Sequence, residues 1–275
     1  MTQMLLAQIT FGGDTEKDER DAQKDIAESY LAALLKNGQI YGTHLVAWSG
    51  GTLNAYAQIP RPDSLDERHH SDWGLRDLEA VANSFGQRPK YFIIDDDVPE
   101  RFPTWQSSSS LYLFTHALDY SSPVCCGDTG RPIPLYLIPI PQEKRESLYF
   151  WSRSYNYHDN IWFGSGTLEI PTYTQLADPN SELSNNGRKL CSTIEQATGI
   201  PTFYFMHRYW GRIDGESMRP CPVCGGQWNK SEVRHDRTPF HQFHFKCETC
   251  RLVSHCGDLC DNAEYAEIGD HPKAT

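Results

Sequence analysis

Nine cysteines punctuate this 275-residue chain, and four of them fall into two close pairs. Cys221-Pro222-Val223-Cys224 is followed by Gly225-Gly226. Cys247-Glu248-Thr249-Cys250 follows, with 22 residues between Cys224 and Cys247. Two residues between cysteines let one tight turn aim both thiolates at the same ion, and two such knuckles complete the tetrahedral sulfur set that zinc prefers. Gly225 and Gly226 supply the backbone freedom of the turn. The intervening stretch fits a hairpin that returns the second knuckle to the first. On it His241, Phe243, Phe245 and Cys247 alternate onto one face, and Trp228 can pack over Phe243 and Phe245 beneath the metal. The expected module is a zinc ribbon over 216–260 holding a single structural Zn2+ on Cys221, Cys224, Cys247 and Cys250. His255, Cys256 and Cys260 lie just beyond and offer alternative ligands. An odd cysteine count, with no basic leader before the short apolar run at 4–6, points to a reducing, cytoplasmic setting where grouped thiols bind metal rather than pair.

The formal charge is −11, from 25 basic and 36 acidic residues. It is not spread evenly. Residues 216–260 hold six basic against five acidic side chains, residues 1–215 carry −9 and residues 261–275 carry −3. Phosphate binding draws most of its affinity from cationic surface. The expectation is therefore a binding protein whose acidic surface captures a basic protein, the concrete case being an immunity or antitoxin protein that neutralises a toxin such as a nuclease. Nucleic-acid binding through the ribbon is the alternative, with Lys230, Arg234 and Arg237 as a minimal phosphate footprint. No membrane span is expected.

No nucleophile elbow, phosphate-binding loop, paired-histidine metalloprotease motif or dinucleotide fingerprint occurs, so the chain reads as a non-enzyme. Asp95, Asp96 and Asp97 follow a strand, where a metal-dependent hydrolase would present carboxylates; as surface acids they would instead meet a basic partner. Tyr155, Tyr157 and Trp162 form an aromatic cluster of the kind enriched at protein interfaces.

The elements that must carry these groups read as α+β. Strands over 3–11, 41–48, 53–59 and 91–94 alternate with helices near 16–36 and 73–85, giving the β-α-β-β-α-β order of the split βαβ, or ferredoxin-like, arrangement. Gly50-Gly51 marks the hairpin. Strands over 111–118 and 133–139 flank a turn holding Cys125-Cys126. Helices follow near 142–154 and from Ser181 or Ser184 to Thr198, then a strand over 202–209. The domains expected are an acidic body over 1–215 with subdomains 1–97 and 98–215, the ribbon over 216–260 and an acidic tail over 261–275.

The chain resembles a bacterial family of uncharacterised zinc-ribbon-containing proteins that carry a nucleic-acid-binding label. The likeness rests on Cys221-Pro222-Val223-Cys224-Gly225-Gly226-x-Trp228 and on the run Phe245 to Ser254. Upstream it includes Trp162 to Leu168, Ser181 to Leu183, Gly187-Arg188 and Tyr204 to Gly211. The resemblance implies a zinc site and a nucleic-acid role, and no reaction. Cys256 and Cys260 stand outside its pattern, which favours the four knuckle thiols.

Overall fold

In the computed structural model, residues 4–13, 16–95, 103–230 and 243–272 are described. The chain divides into two compact units. One comprises Met1–Thr104, Tyr120–Ser122 and Pro132–Tyr149, the other Trp105–Asp119, Pro123–Arg131 and Phe150–Thr275.

The first unit holds β1 (Leu5–Gly13), α1 (Arg20–Asn37), β2 (Tyr41–Ser49), β3 (Thr52–Ile59), α2 (Asp72–Phe85) and β4 (Lys90–Ile93). Its sheet runs β2-β3-β1-β4, antiparallel throughout, the ferredoxin-like order expected from the sequence. Strand alternation explains the core. Leu5, Ala7, Ile9 and Phe11 of β1 are buried with Leu53, Ala55, Ala57 and Ile59 of β3. Ala27, Tyr30, Leu31 and Leu34 of α1 and Leu78 and Val81 of α2 belong to the same cluster. These recur at helical spacing, so both helices lay an apolar stripe on one face of the sheet. Ser71 caps α2, its hydroxyl accepting from the Gly74 N–H at 3.1 Å.

The second unit builds a six-stranded sheet in the order β6-β5-β7-β11-β10-β9. Its strands are β5 (Leu111–Leu113), β6 (Val124–Cys126), β7 (Thr202–Met206), β9 (Asn229–Lys230), β10 (Phe245–Cys247) and β11 (Leu252–Ser254). A two-stranded sheet pairs β8 (Trp210–Arg212) with β12 (Asp258–Cys260). The helices are α3 (Gln142–Ser165, whose first eight residues belong to the first unit), α4 (Glu169–Ala177), α5 (Glu182–Thr198) and α6 (Ala263–Glu267). β7 is central and wholly buried, with β5 and β11 both parallel to it.

Three sequence expectations are corrected here. Cys125 and Cys126 lie in β6, paired with β5, and not in a turn. Residues 133–139 contain a short 3-10 turn over Leu135–Leu137 and no strand, because the flanking prolines lack the N–H groups a ladder needs. The helix expected to end near 154 runs on through the aromatic stretch to Ser165.

Gly187 in α5 is required by close approach. A Cβ there would overlap the Tyr204 ring and come within 2.9 Å of Trp151 Nε1, and Tyr204 is completely buried on β7. Gly→Ala within a helix ordinarily stabilises by roughly 0.5–1 kcal/mol. Here overpacking dominates, and Gly187→Ala is expected to destabilise by about 1–3 kcal/mol. Urea unfolding checks the sign.

Candidate metal centre

The two knuckles form on different scaffolds. Cys247 ends β10 and Cys250 stands in the turn before β11, in a hairpin registered Phe245↔Ser254, Lys246↔Val253 and Cys247↔Leu252. β11 is itself tied to β7 through Leu252↔Tyr204 and Val253↔Phe205. Arg251 takes a left-handed backbone (φ 52°) to complete the turn. Its guanidinium reaches Glu195 on α5 at 3.1 Å and the Glu248 carbonyl at 2.8 Å. The first knuckle is a self-bonded loop: Cys221 N–H donates to Gly226 O at 2.8 Å, and Gly225 N–H to Cys221 O at 2.9 Å. Gly225 has φ +68°, and a Cβ on it would stand 2.6 Å from His271 Nε2, so two constraints select glycine.

These turns bring four sulfurs together. The Sγ atoms of Cys221, Cys224, Cys247 and Cys250 all lie within 4.8 Å of one another, with Cys224 to Cys247 at 3.9 Å. Sulfurs about 2.3 Å from a tetrahedral zinc stand about 3.8 Å apart, so the donor set fits such an ion. Burial pushes the Cys221 thiol up to about 11 and raises Cys250 as well, whereas the Gly226 N–H lowers exposed Cys224. A bound cation would reverse the cost of ionising the buried sulfurs. Four protein sulfurs close the coordination shell and leave no position for a reacting water. Among the described residues no other group of three or more histidine, cysteine or acidic side chains is placed to share a metal. Cys256 N–H donates to His244 Nδ1 at 3.2 Å, and His255 stacks on Phe205 at 5.4 Å.

Beneath the knuckles Trp228 packs on Phe245 at 5.5 Å. Phe243, expected in that same layer, is corrected to the sheet core, against Tyr112 at 4.8 Å and Phe205 at 5.5 Å. The Arg219 guanidinium lies over both Trp228 and Phe245, at 5.1 and 4.8 Å. It is held by Glu216 Oε1 at 3.1 Å and Ser254 Oγ at 2.7 Å.

Sequence reasoning missed the ion network that begins there. Arg208, only 2% exposed, donates to Glu216 at 3.2 and 3.0 Å and to the Ala266 and Ile268 carbonyls at 2.8 and 2.9 Å. Asp270 accepts from Arg212 at 3.0 Å and stands 3.3 Å from Arg208. Along the chain Arg208, Arg212, Glu216 and Arg219 read as ordinary surface charge. The available signal was their spacing next to an aromatic strand.

The other predicted residues are not gathered at one place. Asp95 Oδ2 accepts from the Leu6 N–H and so fastens the end of β4 to β1. Asp96 and Asp97 lie outside the described residues, as do His241, Arg234, Arg237 and the Lys230 side chain. Tyr155 is 2% exposed and packs on Trp151. A partner cannot reach it, which corrects its assignment to an interface. Trp162 is half-buried against Tyr209 at 4.8 Å and His207 at 5.1 Å. Tyr157 is exposed beside Arg153.

His207 and His255 lie 6.0 Å apart in this region. Burial lowers them to about 3 and about 4, helped for His207 by His255 and for His255 by Arg219. The folded state keeps both neutral over a range in which the unfolded chain, with an ordinary histidine value near 6.5, takes up protons. The unfolded state then binds more protons, so stability falls as pH drops from about 6.5 towards 4, by at most about 1.4 kcal/mol per pH unit for each group. Replacing His207 with Phe is expected to flatten this acid slope, and unfolding curves with an unchanged slope would refute the assignment.

Comparison with known proteins gives three successive matches to domains of unknown function: DUF8589 over residues 4–95, DUF2310 over 105–207 and DUF8594 over 212–257. An uncharacterised protein of Haemophilus influenzae is 28% identical over 264 residues, covering 91% of this chain and 97% of that protein. A second uncharacterised H. influenzae protein is 34% identical over 165 residues, 59% of this chain and 76% of that protein. The family descriptions state no metal, nucleic acid or reaction. Among solved structures, a monooxygenase of Streptomyces coelicolor is 15% identical with a TM-score of 0.28, covering 37% of this chain and 93% of that one. Against the expectation of a non-enzyme, chains named as monooxygenases stand among the structural matches; a likeness this low assigns this chain no reaction. No helix among the described residues is long and apolar enough to cross a membrane.

Proposed function

The chain belongs to the family of uncharacterised bacterial proteins represented by these two Haemophilus influenzae proteins, and we propose that it is a zinc-ribbon protein that captures a basic protein partner. Four thiols in a closed set suit Zn2+, since soft sulfur ligands in a tetrahedron select it over oxygen-seeking cations. A reducing cytoplasm is the compartment in which they stay available. The concrete partner is a basic toxin such as a nuclease, with this chain as its immunity or antitoxin protein.

The observation that carries the partner class is where the charges go. Of the ribbon's basic side chains that are described, Arg219 is bound to Glu216, Lys246 to Glu248, and Arg251 to Glu195 and Glu248. Cations neutralised by carboxylates offer little to phosphate. In contrast, Asp18, Glu19, Asp21, Asp25 and Glu28 are all exposed just before and along the first half of α1, with Lys24 ion-paired to Glu28. That acidic stripe accelerates encounter with a cationic surface and makes the encounter salt-dependent.

The test is inhibition. The gene neighbourhood is the first check, since no toxin gene beside this one would count heavily against the reading; a basic nuclease found there and mixed with the full chain is expected to lose cleavage with a stoichiometric endpoint and an affinity that falls with salt. Absence of inhibition would exclude the toxin reading. Tight, steeply salt-dependent binding to short DNA or RNA by fluorescence anisotropy would place the function with nucleic acid instead.

A further inference from the structure

The sheet of the first unit has two faces, and α1 and α2 cover one of them. The strand register sets the composition of the other. Leu45 of β2 stands opposite Tyr56 of β3, Tyr56 opposite Gln8 of β1, and Gln8 opposite Phe92 of β4. Facing residues point to the same side of a sheet, so these four side chains form one row across it. Ala47, Asn54, Thr10 and Lys90 make the next row. On the other side of the first row Gln58 pairs with Leu6, and the Ile94 N–H donates to Leu6 O. Leu45 is 64% exposed, Phe92 60%, Ile94 46% and Leu6 37%. Large apolar side chains in adjacent rows make a patch, which an isolated surface leucine does not.

Charge, hydrogen bonding and area together select what covers it. Lys90 is the one charged side chain in these rows, although the chain carries −11. A basic protein finds its complement elsewhere, on the acidic stripe before and along α1. A lone cation gives neither phosphate nor an anionic membrane a footing. Two copies of an acidic chain repel through most of their surface, and a face without carboxylates in its rows is where they can meet. The polar groups at its centre are already used. Gln8 Nε2 and Thr10 Oγ1 both donate to Asn54 Oδ1, at 3.1 and 2.9 Å, and Asn54 Nδ2 donates to Thr52 O at 3.2 Å. Covering groups that keep their partners avoids the penalty of an unmade hydrogen bond. β1 and β2 have 9 residues each, β3 has 8 and β4 has 4. At about 3.3 Å per residue and about 4.8 Å between strands, the face covers about 480 Å² in projection. Two such faces give about 950 Å² before side-chain relief is counted, which reaches the size of about 1,000 Å² that a specific interface needs.

We propose that two copies of the protein pair sheet on sheet through this face, as a twofold dimer in which Leu45 of each copy packs on Phe92 of the other. The strand order β2-β3-β1-β4 supplies the symmetry. A half-turn about an axis along the strands, midway between β3 and β1, lays β2 over β4 of the second copy and β3 over β1, within the aligned geometry of packed sheets. The first row then sets Leu45 on Phe92 and Tyr56 on Gln8. The next sets Lys90 on Ala47, which keeps the two cations apart. This pairing uses neither the metal centre nor the acidic stripe, so it and partner capture can fail separately.

Analytical ultracentrifugation of the full chain, from sub-micromolar to hundreds of micromolar, tests it. A monomer–dimer equilibrium in the micromolar range is expected for an interface at the small end of the specific class. Leu45→Lys and Phe92→Glu should each weaken self-association at least about tenfold, since each buries an unpaired charge. Their equimolar mixture should dimerise again, because the twofold sets the new lysine on the new glutamate and keeps one Leu45–Phe92 contact. Phe163→Asp, at an equally apolar position 82% exposed outside this face, should leave the equilibrium unchanged. Hydroxyl-radical footprinting of the unaltered chain decides if a variant does not fold: labelling of Leu45 and Phe92 should fall as concentration rises, while that of Phe163 stays constant. A chain monomeric at every concentration would overturn the proposal. So would a dimer indifferent to Leu45→Lys and Phe92→Glu, a mixture of the two that stays monomeric, or footprints of Leu45 and Phe92 that do not change.

Discussion

Purified in reducing buffer, the protein is expected to carry a single zinc ion, and a strong chelator is expected to unfold the segment from Cys221 to Ser254. Structural zinc in a four-ligand site contributes apparent binding free energies of about 10–16 kcal/mol at neutral pH. That is comparable to the total stability of an ordinary domain, about 5–15 kcal/mol. The first knuckle has little else to hold it: its backbone–backbone bonds are internal to the loop, and His271 Nδ1 stands 3.3 Å from Pro222 O. The second is better anchored, because β11 pairs with β7. Hydrogen exchange should therefore show amides of Cys221–Gly226 losing protection first and those of β10 and β11 next, while β1 and β3 in the other unit keep theirs. Cys247→Ser should act in the same direction without chelator. Protein without stoichiometric metal by mass spectrometry, and with exchange rates indifferent to chelator, would remove the zinc assignment.

How far the sequence revealed this architecture depended on where each signal was stored. In the first unit every element carried its own: Leu5, Ala7, Ile9 and Phe11 at period two, Ala27, Tyr30, Leu31 and Leu34 at helical spacing, and Gly50-Gly51 between two strands. Local pattern and global topology agreed, and the strand order followed. The second unit uses strands of two to five residues, too short for a period to register. Its longest helix was masked by composition. Leu148, Trp151, Tyr155 and Asp159 are buried at helical spacing, but exposed Phe150, Tyr157 and Phe163 stand among them and make the stretch look uniformly aromatic. The thiol site was legible because the x₂ spacing encodes the geometry of a single turn. The ion network around Glu216 was not, because Arg208, Glu216 and Asp270 come together only when separate elements are packed.

Replacing Glu216 with Leu is expected to be more disruptive than any comparable change at the surface. Glu216 is 6% exposed and lies between two guanidiniums that are themselves 2% and 4% exposed. Its carboxylate accepts from Arg208, Arg219 and the Arg212 N–H. These partners hold it below the usual carboxylate range, against the opposing push of burial. Without it, Arg208 and Arg219 become neighbouring buried cations with a single remaining carboxylate, Asp270, near Arg208. Burial already lowers Arg219 to about 10, with the Arg208 charge acting in the same direction. Removing one member of a buried ion pair costs about 3–5 kcal/mol, because the partner's desolvation is left uncompensated. Here two partners are stranded, and the damage extends to both neighbours of the network: Arg219 covers Trp228 and Phe245 under the first knuckle, and Arg208 holds the Ala266 and Ile268 carbonyls. Glu216→Leu should therefore destabilise the second unit by at least about 3 kcal/mol and weaken metal retention with it. Glu216→Gln keeps the shape and an acceptor oxygen but loses the charge, and should fall between the two. Urea unfolding with zinc release followed in parallel decides the matter: a Glu216→Leu protein as stable as the original would mean that the three arginines and two carboxylates are held by packing rather than by their charges.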